Sequence, residues 1–268
     1  MTIAVGVACP EGLVLAADSR SSFLSANKFR IATDYAQKVF EIGSRFVAVT
    51  YGWSTLEGKT IAGVIKEFNA QSTIPDDVGA AADLLRDFAQ TRMLAHIAAG
   101  YDAAPPAGID PLGFIIGGYD TQGVGHLKRI VLPSGNISDG YSTNNPGANW
   151  AGELDAIIRT VFGYDLTRLD TSRWAKRNQT ALGGLHYQIG FRWFALQDAI
   201  DFAAFVVRTT IDVQRFADGT FGSPGASPTC GGPLQIAAIT AHDEVSWIQR
   251  TELRGDVRPL RAEGGQEA

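Results

Sequence analysis

The sequence predicts an α+β fold in which two antiparallel sheets stack face to face and helices cover their outer faces, a four-layer αββα sandwich. Three observations carry that prediction. Short apolar strands joined by tight turns open the chain, two helical segments follow, and strands, helices and strands then come again in separate runs. Segregated runs of this kind build layers, whereas strict strand–helix alternation builds a parallel sheet.

Residues 2–9 are β-branched and apolar, Pro10-Glu11-Gly12 makes a turn, and residues 13–17 return as a second strand. Residues 19–37 are polar and read as a loop. Strands at 38–42 and 46–51 flank a Gly43-Ser44 turn, and their near-continuous apolar character predicts burial on both faces. Residues 55–70 switch to helical spacing, with Ile61, Val64, Ile65 and Phe68 on one side. After Pro75-Asp76-Asp77, a helix-start signal, residues 80–99 repeat the pattern through Leu84, Leu85, Phe88, Met93 and Ile97. A loop with three prolines spans 101–111, and strands resume at 113–119 and 127–133 around Gly123 and Gly125. Residues 155–162 form a short helix, and 163–192 are rich in Arg and Trp without a clear period. A strong amphipathic helix covers 196–216 through Leu196, Ile200, Ala203, Val207 and Ile211. A Gly/Pro loop at 218–228 leads to strands at 235–240 and 245–249. Residues 1–250 read as one domain and 251–268 as a flexible, charged tail.

At 268 residues the chain is long enough to bury roughly three quarters of its surface. Neither a disulfide nor a metal is needed for stability, and no cofactor is expected. The net charge of -5, with no basic stripe, argues against nucleic acid or anionic lipid as the main partner. Cys9 and Cys230, the two cysteines, form no disulfide framework, which suits a reducing compartment. The N-terminus lacks the basic start of a secretory signal, and no run of about 18 uncharged apolar residues offers a membrane span. A cytoplasmic location is expected.

Three features in the first 52 residues fall into one pattern: Thr2 at the head of the first strand, Ala16-Ala17-Asp18-Ser19-Arg20 closing the second, and Lys38-Val39-Phe40-Glu41-Ile42 opening the third. The pattern resembles proteasome β-type subunits, bacterial heat-shock protease subunits and the ancestral-β-subunit group, all N-terminal-nucleophile (Ntn) hydrolases. The resemblance is dense over residues 2–55, looser at Gly117-Gly118-Tyr119-Asp120, and returns over 199–240. It implies that Thr2 is the nucleophile, Asp18 and Lys38 its catalytic partners, and Gly52 the oxyanion donor through its amide. It also implies that Arg20, Ser22, Thr50 and Ser54 bind substrate, with Thr50 and Ser54 facing the side chain on the acyl side of the scissile bond.

The chemistry agrees with the resemblance. A threonine hydroxyl is a poor nucleophile until a base takes its proton, and a free α-amine on the same residue can be that base. Its unperturbed pKa is about 8, so a neutral fraction exists at cellular pH. A neighbouring ammonium such as Lys38 lowers that value, because two cations in one site repel. Asp18 would hold Lys38 charged and oriented. Met1 must be removed first, and a small second residue such as Thr2 permits that. Singly, each residue has a plainer reading as an ordinary strand end, solvated lysine or turn; their joint spacing favours the catalytic one.

Two departures from the family pattern stand out. The serine expected between glycines before the second-half helix is missing, its nearest counterpart being Thr180-Ala181-Leu182-Gly183-Gly184. Further on, Ser227 takes the place of an aspartate and Cys230 that of a serine in Ser227-Pro228-Thr229-Cys230-Gly231-Gly232. In the family pattern these positions carry accessory groups that tune the amine, so the resemblance implies an accessory role for Ser227 and Cys230. The four histidines show no zinc spacing, and no Gly-x-Ser-x-Gly elbow, P-loop or Gly-x-Gly-x-x-Gly is present.

The resemblance therefore implies a threonine endopeptidase acting on peptides or unfolded protein within a ring- or spiral-forming homo-oligomer; an ATPase partner is not specified by the residues. Two alternatives are a small-amide Ntn amidohydrolase and a non-catalytic structural subunit. Size in solution separates the first. The retention of Thr2, Asp18, Lys38 and Gly52 speaks against the second.

Overall fold

A computed structural model of the chain describes residues 2–25, 28–164, 177–220, 223–225 and 227–251. All but the first residue of the tail expected at 251–268, and residues 165–176 of the Arg/Trp-rich stretch at 163–192, lie outside the described residues. The first half of the chain gives β1 (Ile3–Cys9), β2 (Gly12–Ala17), β3 (Ser21–Ser25), β4 (Lys28–Thr33), β5 (Val39–Ile42) and β6 (Phe46–Gly52). A small hairpin, β7 (Thr55–Leu56) and β8 (Lys59–Thr60), precedes α1 (Ile61–Gln71) and α2 (Val78–Ala98). Next come β9 (Leu112–Tyr119), β10 (Gly125–Leu132), β11 (Asn136–Ser142), β12 (Gly147–Gly152) and α3 (Asp155–Phe162). The short α4 (Gln179–Gly183) and the long α5 (Leu196–Phe216) follow, then β13 (Gly219–Thr220), β14 (Ser223–Pro224), β15 (Gln235–Ile239) and β16 (Ser246–Gln249).

Ten of these strands make two five-stranded sheets, ordered β12-β1-β2-β15-β16 and β11-β10-β9-β6-β5. Every neighbouring pair in both is antiparallel. Each residue of β1 and β2 is buried, as their unbroken apolar runs predict for strands covered on both faces. Three apolar clusters explain the coverage. One joins α1 and α2 to the second sheet through Phe68, Leu85, Phe46 and Phe114. Another joins Leu13, Leu15 and Ala237 of the first sheet to Val47, Val49 and Ile115 of the second. The last joins α3 and α5 to the far face of the first sheet through Ile157, Ala203, Val207, Val5 and Val14. A fully buried side chain such as Phe68 contributes roughly 2–3 kcal/mol.

The helices begin where side chains can satisfy their first amides. Thr60 Oγ1 accepts from Gly63 N (3.2 Å) at α1, and Asp77 Oδ1 from Ala80 N (2.9 Å) at α2. The apolar stripe of α1 is the one its spacing predicts: Ile61, Val64, Ile65 and Phe68 are all buried. That helix starts at Ile61, because β7 and β8 occupy the preceding residues. The segment expected as a polar loop at 19–37 instead carries the β3–β4 hairpin, paired from Ser21↔Thr33 to Ser25↔Lys28. Polar residues pair in a strand when it is a two-stranded ribbon outside the main sheets. β11 also escapes an apolar-pattern search: it edges its sheet and none of its residues is buried. Among the described residues, no helix is long and apolar enough to cross a membrane.

Candidate active site

The candidate site forms where β1, β2 and β5 begin or end. Asp18 directly follows β2 and is fully buried. Its carboxylate takes four donors: Oδ1 accepts from Lys38 Nζ (2.8 Å) and Ile3 N (3.2 Å), and Oδ2 from Arg20 N (3.1 Å) and Gly231 N (3.0 Å). The bond from Ile3 ties the carboxylate to the residue next to Thr2. Thr2 and Lys38 are also buried, at 4% and 5% exposed. An ion pair this deep is costly to desolvate and survives only where further hydrogen bonds complete it. The backbone donors around Asp18 do so.

Gln235, expected only as the start of a strand, holds the backbone of Lys38 in place. Its Oε1 accepts from the amides of Lys38 (2.8 Å) and Val39 (3.0 Å), while Nε2 donates to the Ala36 carbonyl (2.8 Å) and Thr251 Oγ1 (2.9 Å). A polar side chain opening an otherwise apolar strand, Gln-Ile-Ala-Ala-Ile, is the signal that could have found it.

Thr2 and Lys38 open onto a cavity of about 910 Å³, whose wall also includes Thr50 and Gly52. Arg20, Ser22 and Ser54 line the same cavity, so seven of the ten residues singled out from sequence meet at one surface. Thr50 Oγ1 donates to the Gly113 carbonyl at 3.3 Å. The Ser22 hydroxyl is buried with no hydrogen-bond partner among the described residues. Gly52 has φ +92, and a Cβ there would meet the Pro111 carbonyl oxygen at 1.9 Å, so only glycine fits the turn that brings this backbone to the cavity.

Arg20 lines the cavity, yet its guanidinium is engaged elsewhere. Nε and Nη2 donate to the two Asp34 oxygens (2.6 and 3.0 Å), and Nη1 to the carbonyls of Pro228 (3.2 Å) and Cys230 (3.5 Å). The guanidinium holds the Asp34 carboxyl below its ordinary range. Its structural effect is to clamp the loop that delivers the Gly231 amide to Asp18.

Ser227 and Cys230 do not line the cavity. Cys230 is 1% exposed, and burial pushes its thiol well above the ordinary range. The segment Thr180–Gly184, expected as the counterpart of the missing serine, belongs to α4 and its cap and does not line the cavity. The residue that meets Thr2 ahead of a second-half helix is Glu153, whose amide donates to the Thr2 carbonyl at 2.8 Å. Gly152 makes this approach possible: its φ is +91, and a Cβ would stand 1.8 Å from the Thr2 carbonyl oxygen.

No protein-family model matches the chain, and no curated protein matches it. Among solved structures it is similar to the Anbu (Gly-1) mutant from Hyphomicrobium sp. strain MC1, with a TM-score of 0.55 at 16% identity over 96% of this chain and 89% of that one. It is also similar to Anbu from the same strain in another crystal form, with a TM-score of 0.54 at 17% identity over 92% and 87% of the two chains. The chain shares the mixed α/β, proteasome-like fold of Anbu.

Proposed function

We propose that the chain is a threonine-type peptidase of the N-terminal-nucleophile class, acting through an acyl ester on Thr2 once Met1 is removed. The observation that carries this reading is the buried Lys38–Asp18 pair, 2.8 Å apart, whose carboxylate also takes the amide of the residue after Thr2 at the wall of a large cavity. The three apolar clusters support the four-layer αββα arrangement that such hydrolases need to present Thr2 at a sheet end.

In this mechanism the freed Thr2 amine takes the proton of its own hydroxyl, and Oγ1 attacks the substrate carbonyl. Lys38 stabilises the developing alkoxide and Asp18 keeps Lys38 protonated. The Gly52 amide receives the oxyanion, a contribution of about 3 kcal/mol in other acyl-transfer enzymes. The amine then returns the proton to the leaving amine, and water hydrolyses the ester. Thr50 and Ser54 face the acyl-side residue, while Ser22 on β3 offers its hydroxyl to an extended peptide. The cavity, about 910 Å³, lies near the top of the ~300–1,000 Å³ range of ligand pockets, which favours a peptide over a small amide. Self-assembly into a ring or spiral would enclose the site and keep it from cellular proteins.

Intact mass before and after treatment with a β-lactone or epoxyketone tests the proposal. The expected result is Met1 absent and one adduct, confined to Thr2. Thr2→Ala should abolish both the adduct and peptide hydrolysis without changing the melting temperature. Hydrolysis that survives in that variant refutes the nucleophile assignment.

A further inference from the structure

Glu153 has no part in the mechanism above, yet it sits against the residue that carries it. The register Ile3↔Gly152 places Glu153 across from Thr2, and the 2.8 Å bond from its amide to the Thr2 carbonyl fixes that opposition. One Glu153 carboxylate oxygen lies 3.5 Å from Gln214 Nε2, at the long end of hydrogen bonding. The Gln214 amide cannot turn away from it. Gln214 is 3% exposed, and its Oε1 already accepts from Thr229 N (2.9 Å), Thr229 Oγ1 (3.2 Å) and Cys230 N (2.9 Å). With the oxygen end committed to those donors, the NH₂ end is aimed at Glu153.

The charged and titratable groups facing Glu153 come from every element around it. Asp155 opens α3, Asp18 directly follows β2, and the Cys230 thiol lies on the loop before β15; the chain's N-terminal ammonium is the cation that acts on Glu153, and α5 contributes only neutral Gln214. Lys38 pairs with Asp18 at 2.8 Å, so Glu153 and Asp155 are the carboxylates left for the N-terminal ammonium to offset. Asp155 Oδ1 is itself buried with no hydrogen-bond partner among the described residues. Burial first, and then the Asp155 charge, push the Glu153 carboxyl above its ordinary range. A carboxylate held in such surroundings is stabilised by a positive donor.

We propose that Glu153, steered by Gln214, is the positioning residue of the Thr2 α-amine. It accepts one amine hydrogen and so aims the nitrogen lone pair at the Thr2 hydroxyl. The proposal rests on the reading of Thr2 as the nucleophile, and it gives the accessory role of the missing serine to a residue outside the family pattern. The proton balance is unchanged by it. The amine gains the hydroxyl proton and passes it to the leaving group, while Glu153 stays ionised and stabilises the transient ammonium. Its effect on the amine opposes that of Lys38: an anion alongside raises the amine's pKa, and a cation lowers it.

The test is the pH dependence of acetylation of the Thr2 α-amine by acetic anhydride, read by peptide mass, in chains beginning at Thr2. In Glu153→Gln the amine should titrate about one pH unit below the parent. Glu153→Asp, which keeps the charge, should stay within a few tenths of a unit of the parent. The β-lactone adduct should form about tenfold more slowly in Glu153→Gln at its best pH, because the lone pair is no longer held. Melting temperatures are measured alongside. Amine titration that is the same in the parent and Glu153→Gln overturns the proposal, as do equal shifts in Glu153→Gln and Glu153→Asp. If the amine shifts as expected but the parent forms no adduct, the positioning contact stands and the peptidase reading falls.

Discussion

Asp18→Asn is the perturbation whose outcome follows most directly from the geometry. The carboxylate is fully buried and receives two donors on each oxygen: Lys38 and the Ile3 amide on one, the Arg20 and Gly231 amides on the other. Asparagine has a single acceptor oxygen. Whichever way its amide faces, its NH₂ group meets two donors, so two of the four bonds are lost and the Lys38 pair loses its anion. Removing one partner of a buried pair costs about 3–5 kcal/mol, against a total stability of roughly 5–15 kcal/mol for a domain. At about 2–4 °C per kcal/mol for chains of this size, the melting temperature should fall by about 6–20 °C. Calorimetry at neutral pH on the parent, Asp18→Asn, Lys38→Met and the double variant reads this. The double variant should recover part of the loss, because the Lys38 ammonium no longer meets the amide and only the Ile3 N–H is left without its acceptor, while the Arg20 and Gly231 amides keep theirs. A single variant melting within about 1 kcal/mol of the parent, or strictly additive losses, would refute the reasoning.

Gln235→Leu leaves the Lys38 and Val39 amides without their acceptor and should cost roughly 2–4 kcal/mol in urea unfolding. It should also slow adduct formation at Thr2, since Lys38 loses its anchor; an unchanged rate would count against that link. The Arg20–Asp34 pair sets a pH dependence. Asp34 titrates lower in the folded chain than unfolded, so its contribution is fully present above its ordinary range and is lost as pH falls through the folded value. With Asp34 about a third exposed, Asp34→Asn should lose at most about 1 kcal/mol near neutrality. The two proteins should converge in acid, and a gap that persists at the lowest pH would exclude the pair as the cause.

Much of the site was legible because its residues are close together in sequence and its strands are wholly apolar. Thr2, Asp18 and Lys38 are separated by two turns and a hairpin, so their order and spacing survive as a pattern, and the unbroken apolar runs of β1 and β2 mark strands buried on both faces. The stripe of α1 was equally readable, since Ile61, Val64, Ile65 and Phe68 repeat at the helical period. The β3–β4 hairpin and β11 were not, because pattern reading detects a buried face and these strands have little of one.

What the chain alone determined, then, was the order of most strands and helices and the spacing that nominates Thr2, Asp18, Lys38 and Gly52 as a candidate set, all written in local periodicity and short spacings. Only the tertiary structure decided which distant polar groups complete that set: Gln235 beneath Lys38, the Gly231 amide on Asp18, and Glu153 with Gln214 beside Thr2. Each of those contacts joins residues at least 60 positions apart. Their identity depends on which buried donors and acceptors are left facing one another once the sheets have stacked, and hydrophobic period carries no record of that.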